Sequence, residues 1–477
     1  MSKVETTFYL QSTTKQNYST KLKMRKILII GSGKSTSYLL KYLLDKSEEE
    51  NIFITIGDLN VEHAQKLTNG HKNAKVIKLD VFDESSRKTA IQNADIVISM
   101  LPARFHIEVA KDCVFCGKHM ITASYISPEM QNLNQKAIKK GVILMNEIGV
   151  DPGIDHMSAM QVIDKIRDDG GEIILFESFT GGLVAPESDN NLWNYKFTWN
   201  PRNVVTAGQG GAAKFLQEGT YKYIPYNRLF RRTEFLDIEN FGRFEVYANR
   251  DSLKYQTIYG LQNIKTLYRG TMRRVGFSKA WHIFVTLGMT DDSYTIDDSE
   301  NMSYRDFVNA FLPYSPTDSV ELKLRYQLKI DQDDIVWNKL IELDIFNPNK
   351  KVHLKKATPA QILQKILMDS WTLSQEDKDM IVMYHKFGYE KAGKQYQIDS
   401  NMVTIGQDQT YTAMAKTVGL PVAIATLAIL NKAITTPGVQ LPINKEVYTP
   451  ILKELQNFGI TFKEKQVPYL GYNPLNH

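Results

Sequence analysis

The sequence predicts an α/β fold built on a Rossmann-like, doubly wound parallel sheet. Short apolar runs typical of buried strands recur at residues 26–30, 52–56, 76–79, 96–101, 119–123 and 142–146. Helical patterns separate these runs, and the first run ends in a Gly-Ser-Gly turn. Strands that alternate with helices after such a turn are typical of a dinucleotide-binding domain.

Length and composition limit the classes of protein that fit. A chain of 477 residues exceeds one ordinary core, so we expect two or three domains. The net charge of +5 comes without a long basic run, so we expect no nucleic-acid partner. No apolar run approaches the roughly 20 residues of a membrane span, so we expect no membrane association. Only two cysteines occur, which favours a reducing, cytoplasmic setting.

The turn after the first strand has two interpretations. The motif GKST at 33–36 is similar to the end of a P-loop, but that motif needs glycine where this chain has Leu28, inside the strand. In a dinucleotide site, Gly31 permits the tight turn and Gly33 lets the backbone approach a pyrophosphate at the start of a helix over 34–44. The third glycine of that motif is absent, with Thr36 in its place. We favour the dinucleotide interpretation, with cofactor contacts from Gly31, Ser32, Gly33, Lys34 and Ser35.

Residues at the ends of the next strands complete this prediction. Asp58 ends the second strand, where a carboxylate accepts hydrogen bonds from the adenosine ribose and repels the 2′-phosphate of NADP. It therefore favours NAD(H), although an exposed loop aspartate without a role fits the same spacing. Asp80 and Val81 follow the third strand, and Leu101 and Pro102 follow the fourth, where the cofactor would pass.

The segment NEIGVDPGIDHM combines turn residues with an acid and an imidazole at the end of the sixth strand. Asp151 and His156 are the candidate catalytic pair, because α/β sheets bind ligands at this edge. Asp151 could instead serve only the DPG turn, and His156 could simply pack at the start of a helix capped by Asp155. Further along, Arg250 and Arg269 are candidates for binding substrate carboxylates.

Cys113 and Cys116 form a CxxC motif, but no second pair accompanies it. A structural zinc site usually needs four ligands. The stretch is predicted to be a helix that ends at Gly117, with both thiols in ordinary packing. We therefore expect no metal site.

From Arg25 onward the chain resembles the saccharopine dehydrogenase (L-glutamate-forming) family, also called saccharopine reductase. The resemblance rests on ordered motifs, which are ITASYISPEM (121–130), MNEIGVDPGIDHM (145–157), GGLVAPESDN (181–190), YKFTWNPR (195–202), NRDS (249–252), RGTMR (269–273), MYHKF (383–387) and TAMAKTVGLP (412–421). It implies reduction, by a nicotinamide cofactor, of the imine formed from glutamate and α-aminoadipate semialdehyde. It also implies a homodimer and a role in lysine metabolism.

The resemblance further implies how the chain divides into domains. After a disordered leader at 1–24, a Rossmann-like domain would span 25–148 and be completed by about 410–477. An α/β domain for substrate binding and dimerisation would span 149–300 with about 378–409, where a hairpin turns at 391–394. A small all-helical insertion would span 301–377.

The family motifs suggest a substrate pocket made of Tyr125, Asp151, Gly182, Trp199, Asn249 and Arg250. Arg250 would clamp a carboxylate, Asp151 would receive the α-amino group, and the rings of Tyr125 and Trp199 would exclude water. Asp151 or His156 would move the amine proton. Family members that use NADP(H) typically offer arginine after the second strand, whereas residues 57–60 here carry no cation. Lys34 could still contact a phosphate, so NADP(H) stays open.

Two other functions fit the same fold. A carboxynorspermidine-type dehydrogenase also reduces an imine, but from a diamine, and should line its pocket with acidic residues. A non-catalytic, NAD-binding dimer of the saccharopine dehydrogenase-like kind is the second alternative, which the presence of Asp151, Asn249 and Arg250 disfavours.

Overall fold

The computed structural model describes residues 23–471. A seven-stranded parallel sheet forms its first layer, in the order β15-β6-β5-β4-β1-β2-β3. The strands are β1 (Arg25–Ile30), β2 (Ile52–Asp58), β3 (Ala74–Lys78), β4 (Ile96–Ser99), β5 (His119–Ile121), β6 (Ile143–Met145) and β15 (Gly438–Gln440). The inner strands are buried on both faces and almost wholly apolar, whereas the edge strands β3 and β15 are largely only partly buried.

A nine-stranded mixed sheet forms the second layer, in the order β10-β11-β12-β7-β13-β14-β16, with β8 paired to β12 and β9. Its strands are β7 (Glu172–Val184), β8 (Ala213–Gln217), β9 (Thr220–Ile224), β10 (Thr233–Ile238), β11 (Gly242–Ala248), β12 (Thr266–Arg274), β13 (Asp379–Lys391), β14 (Lys394–Ile405) and β16 (Lys463–Val467). The pair β12 and β7 is parallel, and the long pair β13 and β14 is an antiparallel hairpin.

Helices cover both sheets. They are α1 (Ser37–Asp45), α2 (Val61–Thr68), α3 (Glu84–Gln92), α4 (His106–Cys116), α5 (Pro128–Gln131), α6 (Asn134–Lys140), α7 (Ile154–Asp168), α8 (Pro201–Val205), α9 (Lys254–Ile258), α10 (Phe277–Leu287), α11 (Tyr304–Asn309), α12 (Val320–Leu328), α13 (Ile335–Glu342), α14 (Pro359–Trp371), α15 (Ala413–Leu430) and α16 (Lys445–Gln456). By length and composition alone α15 could cross a membrane, but 72% of it is buried in this fold, where it packs against α1.

Two large cores hold the layers together. One joins the two sheets, because Ile27 and Leu39 belong to the same packed cluster as Phe176 and Phe387. The other lies on the opposite face of the second sheet, where the aromatic side chains meet helices α10 to α14. The helical insertion therefore packs on the second sheet, and the first sheet shares its core with the inner face of the second.

The α/β class, the doubly wound first sheet and the turn at 391–394 are confirmed. Three details differ from the predictions. Residues 34–36 form a 3₁₀ turn, so α1 begins only at Ser37. Helix α7 begins at Ile154, so Asp155 lies within its first turn and is not the cap. The strand β16 pairs with β14 in the second sheet, so the C-terminal segment does not serve the first sheet alone. The predicted leader lies almost wholly outside the described residues.

Candidate functional site

The loop after β1 forms a cradle at the carboxyl edge of the first sheet. Gly31 has a φ of 97°, and a Cβ there would lie 2.9 Å from the carbonyl oxygen of Met100. Gly33 is exposed, and no heavy atom of the described residues lies within 4 Å of the position its Cβ would take. Lys34 and Ser35 lead into α1 through the 3₁₀ turn. The loop is thus closed towards the sheet and open towards solvent, as a pyrophosphate site requires.

Asp58 holds this loop from the end of β2. Its Oδ2 accepts hydrogen bonds from the backbone N–H and the hydroxyl of Ser32 at 2.6 and 2.7 Å. Its Oδ1 accepts one from the N–H of Asn60 at 2.7 Å. A carboxylate offers about four lone-pair sites, so Asp58 can also accept a ribose hydroxyl. Leu59 beside it is 61% exposed. The spacing predicted the carboxylate, but not that it also positions Ser32.

The remaining predicted cofactor residues lie at the ends of β3 and β4, and they are Asp80, Val81, Leu101 and Pro102. Asp80 and Pro102 are exposed, while Val81 is buried and Leu101 is partly buried beside the Gly31 turn. Phe82 is 69% exposed and meets Phe105 edge-on, with ring centroids 5.0 Å apart. This exposed ring was missed, although an aromatic residue directly after a strand of this sheet was a usable signal. The open turn, the helix start and Asp58 together fit a nicotinamide dinucleotide.

A buried arginine between two carboxylates forms the centre of a second cluster. The Nη2 of Arg269, on β12, donates to Oδ1 of Asp151 at 2.7 Å and to Oδ2 of Asp155 at 2.6 Å. Its guanidinium also lies 4.2 Å from the centroid of the Tyr255 ring. The charge of Arg269 is therefore compensated within the protein. This geometry favours a role for Arg269 in positioning Asp151, and the expectation that it binds a substrate carboxylate stays a prediction.

Asp151 keeps one carboxylate oxygen accessible. Tyr125, in the loop after β5, donates its hydroxyl to Oδ1 of Asp151 at 3.2 Å, which is the oxygen that Arg269 also contacts. Within residues 23–471, no hydrogen bond reaches Oδ2. Burial, together with the charge of Asp151, raises the pKa of Tyr125 well above its ordinary value, so this hydroxyl stays protonated and donates. Asp151 is thus oriented with its free oxygen available to a cationic group.

His156 lies behind this cluster. Its ring is fully buried, with Nδ1 at 2.5 Å from the hydroxyl of Tyr259 and Nε2 at 3.0 Å from Oε2 of Glu147. The other oxygen of Glu147 accepts the N–H of Ile126 at 3.0 Å. Because both ring nitrogens are engaged, this geometry favours the packing interpretation, and the proton-transfer role of His156 stays a prediction. Glu147 was missed, although an acid directly after a buried strand was the signal.

Two cations border the cluster. Arg250, after β11, is exposed, and its guanidinium lies 5.9 Å from the centroid of the Tyr125 ring. The Nζ of Lys254, the first residue of α9, lies 4.7 Å from the ring centroids of both Tyr125 and Tyr255. In the described part of the chain, neither cation forms a hydrogen bond or an ion pair through its side chain. Lys254 was also missed, because a lysine at a helix start is an ordinary surface feature in sequence.

The other predicted substrate residues are divided between two places. Asn249 adjoins Arg250 and donates its backbone N–H to the carbonyl of Arg269 at 2.9 Å. Gly182 lies on β7, where a Cβ would approach the Cε of Met414 to 2.9 Å. Trp199 is partly buried and packs on the second core. No hydrogen bond or ring contact among the described residues joins Gly182 or Trp199 to Asp151.

The two cysteines lie on α4. Cys113 is buried, which raises the pKa of its thiol well above the ordinary value, and Cys116 is partly buried. Among residues 23–471, no group of three or more His, Cys, Asp or Glu side chains could hold a metal ion.

A glycine turn at the carboxyl edge of a parallel sheet, together with an oriented carboxylate and two cations unpaired among the described residues, defines a Rossmann-type oxidoreductase that uses a nicotinamide cofactor. Two family models match the chain: the saccharopine dehydrogenase NADP binding domain over residues 27–145, and the saccharopine dehydrogenase C-terminal domain over residues 149–460. The chain belongs to the saccharopine dehydrogenase family.

Individual relatives agree with this assignment. The chain is 34% identical, over 93% of its length and 99% of the relative's, to saccharopine dehydrogenase [NADP(+), L-glutamate-forming] of Schizosaccharomyces pombe. It is 33% identical to mitochondrial alpha-aminoadipic semialdehyde synthase of Rattus norvegicus, over 92% of this chain and 47% of that protein. The solved apo saccharopine dehydrogenase (L-Glu forming) of Saccharomyces cerevisiae aligns with a TM-score of 0.84 at 32% identity, over 93% of this chain and 100% of that one.

Proposed function

We propose that this protein is an L-glutamate-forming saccharopine dehydrogenase, which interconverts saccharopine with glutamate and α-aminoadipate semialdehyde through an imine. One observation carries the proposal: Arg269 and Tyr125 hold Asp151 through Oδ1, Oδ2 has no hydrogen bond among the described residues, and two cations without side-chain partners there lie beside the same Tyr125 ring. That arrangement suits an amino acid whose amine and carboxylates bind at neighbouring points. The names of the relatives support the same chemistry.

Each side chain then has a defined task. Asp151 receives the substrate's α-ammonium group, and Arg250 forms a forked contact with a carboxylate. The Tyr125 ring excludes water from the carbon–nitrogen bond that reacts. A bound nicotinamide supplies or accepts the hydride. The protein contributes chiefly by orientation, because it holds the reacting carbon at one place beside the cofactor edge. Asp151 is also our candidate for holding the amine proton.

We further propose that the protein prefers NAD(H), unlike the relatives whose names specify NADP(+). Asp58 and the exposed, apolar Leu59 follow one another at the end of β2, where a 2′-phosphate would be expected to approach, and Lys34 is the only cation in the loop at 31–35. A carboxylate repels that phosphate and accepts hydrogen bonds from an unmodified ribose. We also propose a cytoplasmic homodimer, which light scattering and cell fractionation would test.

The decisive experiment follows cofactor reduction by the full chain with saccharopine, with NAD⁺ and NADP⁺ side by side, and cofactor oxidation with the semialdehyde and either glutamate or diamines. We expect turnover with saccharopine and glutamate. Turnover with diamines alone would establish the carboxynorspermidine-type activity instead, and cofactor binding without turnover would establish a non-catalytic protein.

The variants Asp58→Asn and Asp58→Ala test the cofactor preference. Both should shift the ratio of NADPH to NADH affinity towards NADPH by about tenfold or more, because removing about 1.4 kcal/mol of repulsion is worth that factor. Asp58→Asn keeps an acceptor for Ser32, so it separates the charge from the anchoring of the loop. Fluorescence titration measures both affinities without turnover, and an unchanged ratio would contradict the assignment.

A further inference from the structure

We infer that Lys254 forms, with Arg250, a two-cation subsite for carboxylates of the substrate, and that Lys254 determines specificity for acidic amine partners. The inference rests on the proposed function, since it names which side chains of the same recess bind the acid groups. Saccharopine carries three carboxylates, so a single free arginine would leave most of its negative charge without a direct partner.

The first step is to count which cations remain available. Arg269 is 5% exposed, and its Nη2 contacts both Asp151 and Asp155, so its charge is already shared by two carboxylates. Within the described residues, Arg250 and Lys254 have no ion pair or hydrogen bond from the side chain. Both lie near the Tyr125 ring: the guanidinium carbon of Arg250 is 5.9 Å and the Nζ of Lys254 is 4.7 Å from its centroid.

The second step concerns how Lys254 is held. Its Nζ lies at the same distance, 4.7 Å, from the rings of Tyr125 and Tyr255. Contacts between an ammonium and two aromatic faces fix the position of the group while leaving its three N–H donors unused. Among the described residues, the buried hydroxyl of Tyr255 has no hydrogen-bond partner. A surface lysine with no role would normally extend into water, whereas this one is oriented at the edge of the recess.

The third step excludes the nearby acids as partners for Lys254. Glu147 attracts it, but both oxygens of Glu147 are engaged by Ile126 and His156. Asp251 accepts the N–H of Leu253 and pairs with Lys214. Both acids attract Lys254, but neither pairs with it among the described residues, so the N–H donors of Lys254 remain free for a ligand.

The electrostatic surroundings agree with this geometry. Desolvation lowers the pKa of Lys254 although the side chain remains exposed; Arg269 and Arg250 lower it further, and Glu147 and Asp251 oppose them. The remaining groups that face it are the phenols of Tyr125 and Tyr255, which stay neutral because their pKa values are raised, chiefly by burial. Arg250 and Lys254 have no ion-pair partner among the described residues, and a bound dicarboxylate would offset the repulsion that Arg250 exerts on Lys254.

The test compares the full-length protein with the variants Lys254→Met and Lys254→Arg, with Lys279→Met as the matched control. Met keeps the length of the apolar stem on the rings and removes the charge, whereas Lys279 pairs with Asp334 on the helical insertion. We expect Lys254→Met to raise KM and Kd for saccharopine about tenfold to a hundredfold, the range for a lost charged hydrogen bond. The kcat should change little, Lys254→Arg should recover most of the affinity, and Lys279→Met should match wild type.

A pH series gives a readout that a merely structural role would not move. Lysine binds anions only while protonated, so wild-type affinity should fall as pH rises through the lowered pKa of Lys254. In Lys254→Arg the affinity should stay constant over this pH range, up to the ordinary pKa of lysine, because arginine keeps its charge there. Unchanged KM in Lys254→Met, or identical pH profiles in the wild type and the arginine variant, would overturn the inference.

Calorimetry with glutarate, a simple dicarboxylate, measures binding at the subsite without turnover. It therefore tests the subsite separately from the proposed enzymatic function. Wild-type protein that fails to oxidise saccharopine would refute the proposed function. Glutarate binding that Lys254→Met weakens would still support the subsite, and glutarate binding equal in both proteins would refute it.

Discussion

Arg269 lies between Asp151 and Asp155 with a side chain that is 5% exposed, and it contacts both through one nitrogen. Two carboxylates this close repel each other unless a cation separates them. The backbone of Arg269 also holds the NRDS loop (249–252) in position. Its carbonyl accepts a hydrogen bond from the N–H of Asn249, and its N–H donates one to the hydroxyl of Ser252. Arg269 therefore both neutralises the two carboxylates and helps to position the loop that bears Arg250.

Arg269→Met tests this dual role. The change leaves two carboxylates without their buried partner, so we expect the free energy of unfolding to fall by about 3–5 kcal/mol in urea titrations followed by circular dichroism. The matched control is Arg243→Met, because Arg243 and its partner Asp237 are largely exposed at 4.0 Å; its effect should stay below about 1 kcal/mol. If the free energy of unfolding fell equally in the two variants, the ion pairs of Arg269 with Asp151 and Asp155 would not be a special source of stability.

The sequence predicted single residues of the site better than it predicted their partners. Asp151 and Arg250 stand beside turn signals and within family motifs, so local pattern was enough to select them. The partner of Asp151 is Arg269, which is 118 residues away in the chain and on the other sheet. No periodicity carries that information, because the pair forms only when β12 is brought beside the start of α7.

At the scale of elements, the glycine turn combines two glycines with different physical requirements. Gly31 needs its positive φ and the missing Cβ, because the backbone of Met100 approaches it from β4. Gly33 has an ordinary φ of −68° and open space around it. The first glycine therefore serves the fold, and the second keeps a ligand surface free.

The pair Gly31→Ala and Gly33→Ala separates these requirements. Gly31→Ala should lower the free energy of unfolding by about 1–2 kcal/mol or more, from strain at positive φ and contact with Met100. Gly33→Ala should unfold within about 1 kcal/mol of wild type, yet weaken nicotinamide dinucleotide binding, because its Cβ enters the space of the pyrophosphate. Thermal melts and fluorescence titration measure the two effects. Unimpaired cofactor binding by Gly33→Ala would place the pyrophosphate elsewhere.

Helices and strands could be predicted where apolar residues recur along the chain in a regular pattern. The inner strands of the first sheet are apolar on both faces, so each appears as a compact run, and the hairpin turn at 391–394 follows from its turn residues. The ends of α1 and α7 were misplaced by one to three residues, because local bonds compete there: Asp155 accepts the N–H of Gly153 from inside the helix. Helix boundaries depend on such contacts more than on periodicity.

At the scale of the whole molecule, the first core is continuous from the dinucleotide sheet to the inner face of the second sheet. Helix α15 follows the second sheet in the chain and packs on α1 of the first. The chain thus crosses between the layers, and β16 returns to the second sheet. The pattern of strands could not predict this return, because a five-residue polar strand at an edge resembles a loop in sequence.

A core shared in this way predicts that the two layers unfold together. All five tryptophans, Trp193, Trp199, Trp281, Trp337 and Trp371, lie outside the dinucleotide sheet. Tryptophan fluorescence therefore reports the second layer, while far-ultraviolet circular dichroism reports the whole fold. We expect the two probes to give coincident urea transitions.

The cofactor provides the stronger form of this test. NADH at about a hundred times its Kd should stabilise the native protein by about 2.7 kcal/mol, through contacts that include the glycine turn of the first sheet. If unfolding is coupled, the tryptophan transition shifts by the full amount even though no tryptophan lies near the glycine turn. Gly33→Ala, titrated at the same NADH concentration, is the control and should show a smaller shift in both probes. A shift in circular dichroism with an unmoved fluorescence midpoint would mean that the shared core does not couple the layers.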